Sequence, residues 1–343
     1  MTARFWPRAG LALLALLGSS VAGADTSLEA RPAPLRAYSV NANLIDLQRV
    51  DGAIFAVGDW GTILKSTDAG RTWQQLPSPV SAMLNRALFI SPSRGWIVGH
   101  DANILTTRDG GTTWTVQYRD PDWGKPLYDI LMLDDQRGFA VGANSRMLRT
   151  ADSGGTWEII EPDFTFNGVN LYGIAQLADG TLLIHGEKGM LVRSTDEGES
   201  WEQLWSPYAA SYFGMQPFGD SGAYLYGLRG TVYAVGDVKS VATQDPMEWD
   251  EFSLVSVEDE AELAAQGFRY YPNPLKESLF GSDSLGGNDV LIVGVNGAVV
   301  RNEGGRIEPV TTGLEMTLGD VLITDGGLVV AGIGGVTRVP FRK

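Results

Sequence analysis

The sequence predicts an all-β protein, a seven-bladed β-propeller of four-stranded antiparallel blades. The first reason is a phrase that recurs four times, ending at Trp73, Trp114, Trp157 and Trp201. The intervals between these tryptophans are 41, 43 and 44 residues. A period near forty residues indicates a repeat architecture in which each copy is one supersecondary unit. The 43 glycines of the chain fit an all-β protein with many tight turns.

Two further markers give the number of blades. Strands ending in Gly occur seven times, at Gly58, Gly99, Gly142, Gly186, Gly227, Gly294 and Gly332. The strand before each begins with a large apolar or aromatic residue, at Leu44, Leu84, Leu127, Leu171, Tyr212, Leu279 and Leu318. Both markers give seven copies in the same register, so they outweigh the four tryptophan phrases. Seven such sheets packed radially form a propeller.

Each tryptophan phrase is an Asp-box, with an Asp, a small or polar residue, a Gly and then a Trp after a Ser or Thr. The Asp can accept hydrogen bonds within a tight turn, and the Gly can supply a positive φ. We expect the Trp to pack between blades, so the motif predicts structure rather than catalysis. Its paired residues are Asp68 and Trp73, Asp109 and Trp114, Asp152 and Trp157, and Asp196 and Trp201.

The last repeat lacks a fourth strand, and residues 35–40 precede the first repeat where such a strand would fall. The sequence therefore predicts that residues 35–40 pair with 335–341 and close the ring, which would leave no open sheet edge. One segment breaks the period, because about 25 extra residues separate the fifth and sixth repeats. This insertion spans about 238–278, and we expect a short helix capped by Ser256 in it.

The N-terminus has the pattern of a secretory signal peptide over residues 1–24. Arg4 and Arg8 precede an apolar run, and small residues follow up to Ala24. We expect cleavage after Ala24, a single propeller domain over 25–343, and a location in the periplasm or outside the cell. The chain has no Cys, which excludes disulfides, thiolate metal sites and Cys nucleophiles.

The chain is strongly acidic. Its formal net charge is −15, and removal of a leader with two Arg and no acid leaves −17. This balance argues against nucleic acid and anionic membrane surfaces as partners, because both require basic patches. Acidity is also a common means of keeping a protein soluble.

The loops that enter the first strands are rich in aromatic residues, which suit recognition surfaces. Such rings can instead pack between blades. That structural role is favoured for Tyr128, Tyr172 and Phe213, which share one position at the start of the first strand. The better candidates for binding a partner are Trp123, Phe164, Phe166, Tyr208, Tyr270 and Tyr271.

The next position along the first strand should ring the mouth of the central channel. Asp46, Arg86, Asp129 and Asp320 occupy it in four repeats, and Gly occupies it in three. These charged groups could bind a cation or a polar ligand, although a channel mouth can also simply be hydrated. The only two histidines, His100 and His185, fall in different repeats, so no metal site or cofactor is expected.

The repeats resemble those of the photosystem II stability/assembly factor family of Asp-box propellers, which also occurs in non-photosynthetic bacteria. The resemblance is carried by GDWGTILKSTDAGRTW (58–73) and GEKGMLVRSTDEGESW (186–201), and it is strong over about 40–205. It implies a seven-bladed lumenal or periplasmic propeller that binds a membrane protein during assembly, without catalysis. The acidity of the chain departs from members that use a basic patch.

The alternatives are an Asp-box protein that binds carbohydrate and a sialidase-like glycoside hydrolase. A sialidase needs an Arg cluster, a Tyr nucleophile and an acid/base Asp. Here Arg86, Tyr270 and Asp129 would have to converge. The repeat count and the absence of an F/Y-R-I-P motif oppose this alternative.

Overall fold

The computed structural model describes residues 30–161, 168–244, 256–257 and 259–341. Their strands form seven sheets, six with four strands and one with three, and each sheet follows chain order. Strands that are adjacent in a sheet are antiparallel throughout. The seven-bladed β-propeller predicted from the repeats is confirmed. None of the described helices is long and apolar enough to cross a membrane.

The first four sheets contain the Asp-boxes and are numbered blades one to four. Blade one has β1 (Leu44–Val50), β2 (Ala53–Gly58), β3 (Ile63–Ser66) and β4 (Gln74–Leu76). Blade two has β5 (Leu84–Phe89), β6 (Gly95–Gly99), β7 (Ile104–Thr107) and β8 (Thr115–Tyr118). Blade three has β9 (Leu127–Met132), β10 (Gly138–Gly142), β11 (Met147–Thr150) and β12 (Glu158–Ile160). Blade four has β13 (Leu171–Gln176), β14 (Leu182–Gly186), β15 (Leu191–Ser194) and β16 (Glu202–Gln203).

The remaining three sheets lack a complete Asp-box. Blade five has β17 (Tyr212–Phe218), β18 (Gly222–Gly227), β19 (Val232–Val235) and β20 (Phe268–Tyr270). Blade six has β21 (Leu279–Gly286), β22 (Asp289–Gly294), β23 (Val299–Glu303) and β24 (Arg306–Pro309). Blade seven has β25 (Leu318–Thr324), β26 (Gly327–Gly332) and β27 (Gly335–Val339).

Short 3-10 turns connect the second and third strands of blades one to six. They span Asp59–Gly61, His100–Ala102, Ala143–Ser145, Glu187–Gly189, Leu228–Gly230 and Val295–Gly297. Two more 3-10 turns lie at Ser39–Asn41 and Val238–Ser240. The insertion contributes helix α1 (Glu260–Ala265), whose N-cap is Asp259 rather than the expected Ser256. The Asp259 side chain accepts hydrogen bonds from the backbone N–H groups of Ala261 and Glu262, which suits its carboxylate to this position.

The core lies between the blades. The second strands are buried along their whole length in every blade except blade six, because each is covered on both faces by neighbouring sheets. Their continuous apolar runs differ from the half-buried alternation of the first strands, which face the axis. One apolar cluster joins Ile54 and Leu64 of blade one to Val329 and Ala331 of blade seven. These contacts close the ring.

The fourth strand predicted for blade seven is not formed within the described residues. Residues 35–40 form a turn that leads into the 3-10 turn Ser39–Asn41. The chain before this turn follows the outer edge of blade one, where the Gln75 side chain hydrogen-bonds the backbone of Arg36 and Pro34. Pro34 has no N–H group with which to extend a ladder. The carbonyl of Val40 instead lies against Gly335, at the start of β27, where a Cβ would be only 2.1 Å from it.

The Asp-box geometry repeats in all four copies. In blade one, Asp68 Oδ1 accepts hydrogen bonds from the backbone N–H of Thr72 at 2.9 Å and from Ser66 Oγ at 2.8 Å. Asp68 Oδ2 accepts one from Thr72 Oγ1 at 2.7 Å. The same three bonds occur around Asp109, Asp152 and Asp196. The carboxylate therefore fixes the turn between the third and fourth strands.

The Asp-box glycine brings this turn against the preceding blade. Gly198 has a φ of +88°, and a Cβ there would lie 2.2 Å from the Phe139 ring of blade three. Trp201 contacts the same ring edge to face, with centroids 5.6 Å apart. Trp114 and Trp157 are buried, whereas Trp73 and Trp201 are half-buried. All four rings pack against neighbouring strands, as a structural role requires.

Replacing a buried Asp-box tryptophan should destabilise the whole fold. We expect Trp114→Ala to lower the free energy of unfolding by about 3–5 kcal/mol, because the cavity left between blades is only partly refilled. Urea denaturation followed by circular dichroism measures this loss. Trp60→Ala is the matched control, since Trp60 is 59% exposed and should change stability little. Equal stability of the two variants would contradict the structural role.

The Asp-box carboxylates should make stability depend on pH. Hydrogen bonds, first from the Ser200 hydroxyl, lower the pKa of Asp196 to about 2. Since this folded-state pKa is below the unfolded value of about 3.9, the stabilisation is present above pH 4 and is lost as pH falls through about 2. Urea midpoints of wild type and Asp196→Asn should therefore converge between pH 5 and pH 2.5. A constant difference would show that the carboxylate charge is not involved.

Candidate functional site

The two faces of the propeller carry different turns. The turns between second and third strands hydrogen-bond the loop that enters the next blade, as in the bond from Ala102 N–H to the Lys125 carbonyl at 2.9 Å. We call this side the entry face, and the opposite side the Asp-box face. A cavity of about 660 Å³ lies on the axis, and its lining includes the entry residues Met83 and Thr317 and the turn residues His100 and Ile333. It therefore opens towards the entry face.

The structure brings together the four charged residues predicted for the channel mouth, and all of them line the axial cavity. Arg86 Nη1 donates to Asp46 Oδ1 at 2.7 Å, and Arg86 Nε lies 3.3 Å from Asp129 Oδ1. The Arg86 side chain is 43% exposed and faces the cavity. Asp320 is buried and forms no ion pair with any described residue within 4.0 Å.

The carboxylates also join neighbouring blades. Asp46 Oδ2 accepts a hydrogen bond from Ala87 N–H of blade two at 2.8 Å, and Asp129 Oδ2 accepts one from Ile174 N–H of blade four at 3.0 Å. Asp320 Oδ2 accepts one from Leu47 N–H of blade one at 2.9 Å. These N–H groups belong to first strands, which have no ladder partner on the axial side. The carboxylates supply that missing acceptor.

Burial governs the protonation of this cluster. It raises the pKa of Asp129, with Arg86 opposing the change, and it raises the pKa of Asp320 well above the ordinary value. The negative charge of Asp46 contributes to the increase at Asp320. The same carboxylate raises the pKa of Arg86, which therefore stays charged. Two carboxylates thus pair with one guanidinium, and the third has no cation of its own.

Two further polar residues occupy the space left by glycine in blades four and five. Gly173 pairs across the sheet with His185, and Gly214 pairs with Tyr226. A Cβ on either glycine would fall within 2.4 Å of the partner ring. His185 Nδ1 lies 3.0 Å from the Tyr212 carbonyl, and the Tyr226 hydroxyl donates to Ser282 Oγ at 2.8 Å. The sequence signal for this arrangement is a Gly opposite a large polar ring.

Four consecutive blades each contribute an aromatic ring to the cavity wall at the same strand position. Tyr128, Tyr172, Phe213 and Phe280 occupy one position in four consecutive blades and form what we call the aromatic arc. Neighbouring ring centroids are 5.3, 5.5 and 5.3 Å apart, with interplanar angles of 56°, 63° and 43°. Blades of a seven-fold ring are rotated by about 51° from one another. The rings therefore hold similar orientations towards the axis and remain half-buried at the cavity.

The residues predicted to bind a partner do not form one surface. Phe164 and Phe166 lie outside the described residues. Tyr208 is buried, and its hydroxyl donates to the Leu228 carbonyl. Tyr271 is also buried, because it packs against Tyr224 between blades five and six. Both rings are part of the hydrophobic core, so the prediction that Tyr208 and Tyr271 bind a partner at the surface is wrong.

Trp123 and Tyr270 are half-buried. Trp123 lies on the entry face, where the Arg146 guanidinium covers its ring at 4.3 Å. Tyr270 is on the outermost strand of blade five and packs on Tyr233. Trp123 therefore keeps a position suited to a partner, and its role stays a prediction. The sialidase-like trio does not assemble, because Tyr270 is not among the residues that line the cavity with Arg86 and Asp129.

An exposed apolar patch lies beside the cavity on the same face. Tyr38, Trp60 and Ile333 are 77%, 59% and 60% exposed, and we call them the seam patch. Hydrogen bonds link the turns that carry Trp60 and Ile333, since Asn43 accepts from Gly334 N–H at 3.2 Å and donates to Asp59 at 2.7 Å. Trp60 has a φ of +58°, uncommon for a bulky residue. The positions equivalent to Trp60 in the other blades carry polar residues or Gly, and that contrast marks Trp60 in the sequence.

Comparison with known proteins supports the resemblance seen in the repeats. The family model described as photosynthesis system II assembly factor YCF48 matches residues 119–234. The chain resembles this family in sequence as well as in fold. A curated relative, the chloroplastic photosystem II stability/assembly factor HCF136 of Cyanidioschyzon merolae (strain NIES-3377 / 10D), is 42% identical over 53 residues. That match covers 15% of this chain and 12% of the relative.

Solved structures share the fold. A structure of YCF48 bound to D1 peptide aligns over 91% of this chain and 97% of its own, with a TM-score of 0.63 and 16% identity. YCF48 from Cyanidioschyzon merolae aligns over 90% of this chain and 98% of its own, with a TM-score of 0.65 and 13% identity. The WD40 propeller domain of Doa1 aligns over 88% of this chain and 94% of its own, with a TM-score of 0.64 and 12% identity. These likenesses establish the propeller.

The part matched by the assembly-factor family model comprises blades three and four and most of blade five. It contributes three rings of the aromatic arc, together with Asp129, His185 and Tyr226. It also contains the Asp-boxes of blades three and four. The match to the family model therefore lies on one side of the axial cavity.

His185 should remain neutral well below neutral pH. Burial lowers its pKa to about 4. Because the unfolded pKa is about 6.5, stability from the neutral ring is complete above that value and is lost as pH falls from 6.5 towards 4. The His100→Gln variant leaves one imidazole, so NMR titration of its Cε1–H signal should give a midpoint near 4. A midpoint near 6.5 would contradict the buried position.

Proposed function

We propose that this protein is a non-catalytic, extracytoplasmic assembly factor that binds a segment of a membrane-protein partner on its entry face. The observation that carries the proposal is the match of residues 119–234 to the YCF48 assembly-factor model. A structure of similar fold is that of YCF48 bound to D1 peptide, and D1 is a photosystem II membrane protein. The signal-peptide pattern of residues 1–24 supports export from the cytoplasm.

The surface of the protein supports the choice of face. The Asp-boxes occupy the opposite side, where each is engaged in its own turn and in the preceding blade. The entry face instead exposes the seam patch, and exposed apolar side chains rimmed by polar groups are typical of interaction sites. Trp60 is the best anchor on it, because a Trp supplies a large contact area at low entropic cost. Trp123 is a second anchor on the same face.

Replacing an anchor should weaken binding without affecting folding. We expect Trp60→Ala to cost about 2 kcal/mol of binding free energy, or about 30-fold in Kd. Purified wild type and variants immobilised at equal density can be exposed to detergent-solubilised membranes of the source organism. The captured integral membrane protein can then be identified, purified and titrated against each variant. Ile159→Ala is the matched control, since Ile159 is 52% exposed on the outer strand of blade three.

Three results would contradict the proposal. The choice of surface would be refuted if wild type and Trp60→Ala captured the membrane protein equally well, while substitutions of exposed residues on the Asp-box face abolished its capture. Failure to enrich any integral membrane protein over a blank matrix would refute the partner class. Hydrolysis of a sialoside by the purified protein, abolished by Arg86→Ala, would favour the hydrolase.

A further inference from the structure

The axial cavity contains a buried acid with no counter-ion. Asp320 is 8% exposed, and its partners are the backbone N–H groups of Leu47 and Val321. No Lys, Arg or His side chain in the described part of the chain lies within 4.0 Å of its carboxylate. Burying an ionised carboxylate without a cation is costly, and burial accordingly raises the pKa of Asp320. A cation bound beside Asp320 would favour its ionised form.

The one guanidinium among the residues that line the cavity already forms ion pairs with two other acids. Arg86 contacts Asp46 at 2.7 Å and Asp129 at 3.3 Å, which leaves Asp320 as the surplus acid. The other lining residues include no Lys and no second Arg. An added cation would therefore stabilise the ionised form of Asp320, whereas an added anion would oppose it. The net charge of −15 for the whole chain favours the approach of cations as well.

The wall of the cavity also suits a cation. The faces of aromatic rings carry partial negative charge and attract ammonium groups within about 6 Å. The aromatic arc places four rings in succession around the opening, and Phe280 at its end belongs to the blade beside that of Asp320. A volume of about 660 Å³ falls within the range for small-molecule sites.

We propose that the axial cavity binds an organic ammonium cation, with Asp320 as its counter-ion and the aromatic arc around its alkyl body. The cation is either a free alkylamine or a lysine side chain, which share this chemistry. The proposal does not depend on the membrane-protein partner, because Tyr38 and Trp60, the two most distinctive residues of the seam patch, do not line the cavity. Amine binding can therefore succeed where partner capture fails, and the reverse also holds.

Calorimetry with n-hexylammonium tests the charge requirement. We expect its Kd to be at least about tenfold lower than that of n-hexanol, a neutral molecule of the same length. Hexanoate should bind more weakly than either. Tighter binding of hexanol or hexanoate than of hexylammonium would overturn the proposal.

Variants test which residues are responsible. Asp320→Asn should weaken hexylammonium binding at least about tenfold. Asp283→Asn is the matched control: Asp283 also accepts a backbone N–H from the next blade, that of Ile323 at 2.7 Å, but does not line the cavity. Phe213→Leu changes a ring two blades away from Asp320, in blade five. It should weaken binding about two- to fivefold through lost apolar contact with the alkyl body, and it keeps the test valid if Asp320→Asn fails to fold. Unchanged affinity in Asp320→Asn or Phe213→Leu, each checked for native melting, would refute the site.

A pair of capped peptides distinguishes the two sources of the cation. Acetyl-Gly-Lys-Gly-amide should bind, and the same peptide with norleucine in place of lysine should not. A lower Kd for the lysine peptide than for hexylammonium would assign the cavity to a protein partner, and a higher Kd would assign it to a free amine. Equal binding of both peptides would refute recognition of the ammonium group.

Discussion

The fold depends on joining seven separate sheets at the axis, where the first strands have no ladder partner on one side. A polar side chain crosses each boundary between blades there. Between blades one and two it is Asp46, between two and three Asn85, and between three and four Asp129. His185, Tyr226, Asp283 and Asp320 cross the remaining four boundaries in order. Six of these side chains hydrogen-bond a backbone group of the next blade, whereas Tyr226 donates to the Ser282 hydroxyl.

This arrangement explains why charged residues can be buried near the axis. A carboxylate that accepts backbone N–H groups satisfies donors that water would otherwise have to reach. The cost of burying its charge is offset by Arg86 for two of the acids only. The same residues therefore hold the ring together and leave the cavity with one acid, Asp320, that has no cation within 4.0 Å. Structure and binding chemistry are not separate features in this protein.

The sequence was most informative where one position repeats. The seven blades and the convergence of Asp46, Arg86, Asp129 and Asp320 follow from repeat register alone. His185 and Tyr226 were missed because they lie on second strands and reach the cavity only through the space above Gly173 and Gly214. Tyr208 and Tyr271 were misplaced because loop position does not reveal burial between blades. The closure of blade seven was wrong because side-chain bonds from Gln75 hold the N-terminal segment to blade one.

Blades seven and one are the last and the first of the described blades in chain order, so the boundary between them is crossed by noncovalent contacts among the described residues. It is held by the bond from Leu47 to Asp320, by that from Arg49 to the Ile323 carbonyl, and by apolar packing. Local unfolding begins where the fewest interactions must break. We therefore expect the ring to open first between blades seven and one. Asp320 lies on it. A ligand bound only by the closed ring would make parting less frequent by mass action, so occupancy of the cavity would be reported by amide exchange rates along β1 and β25.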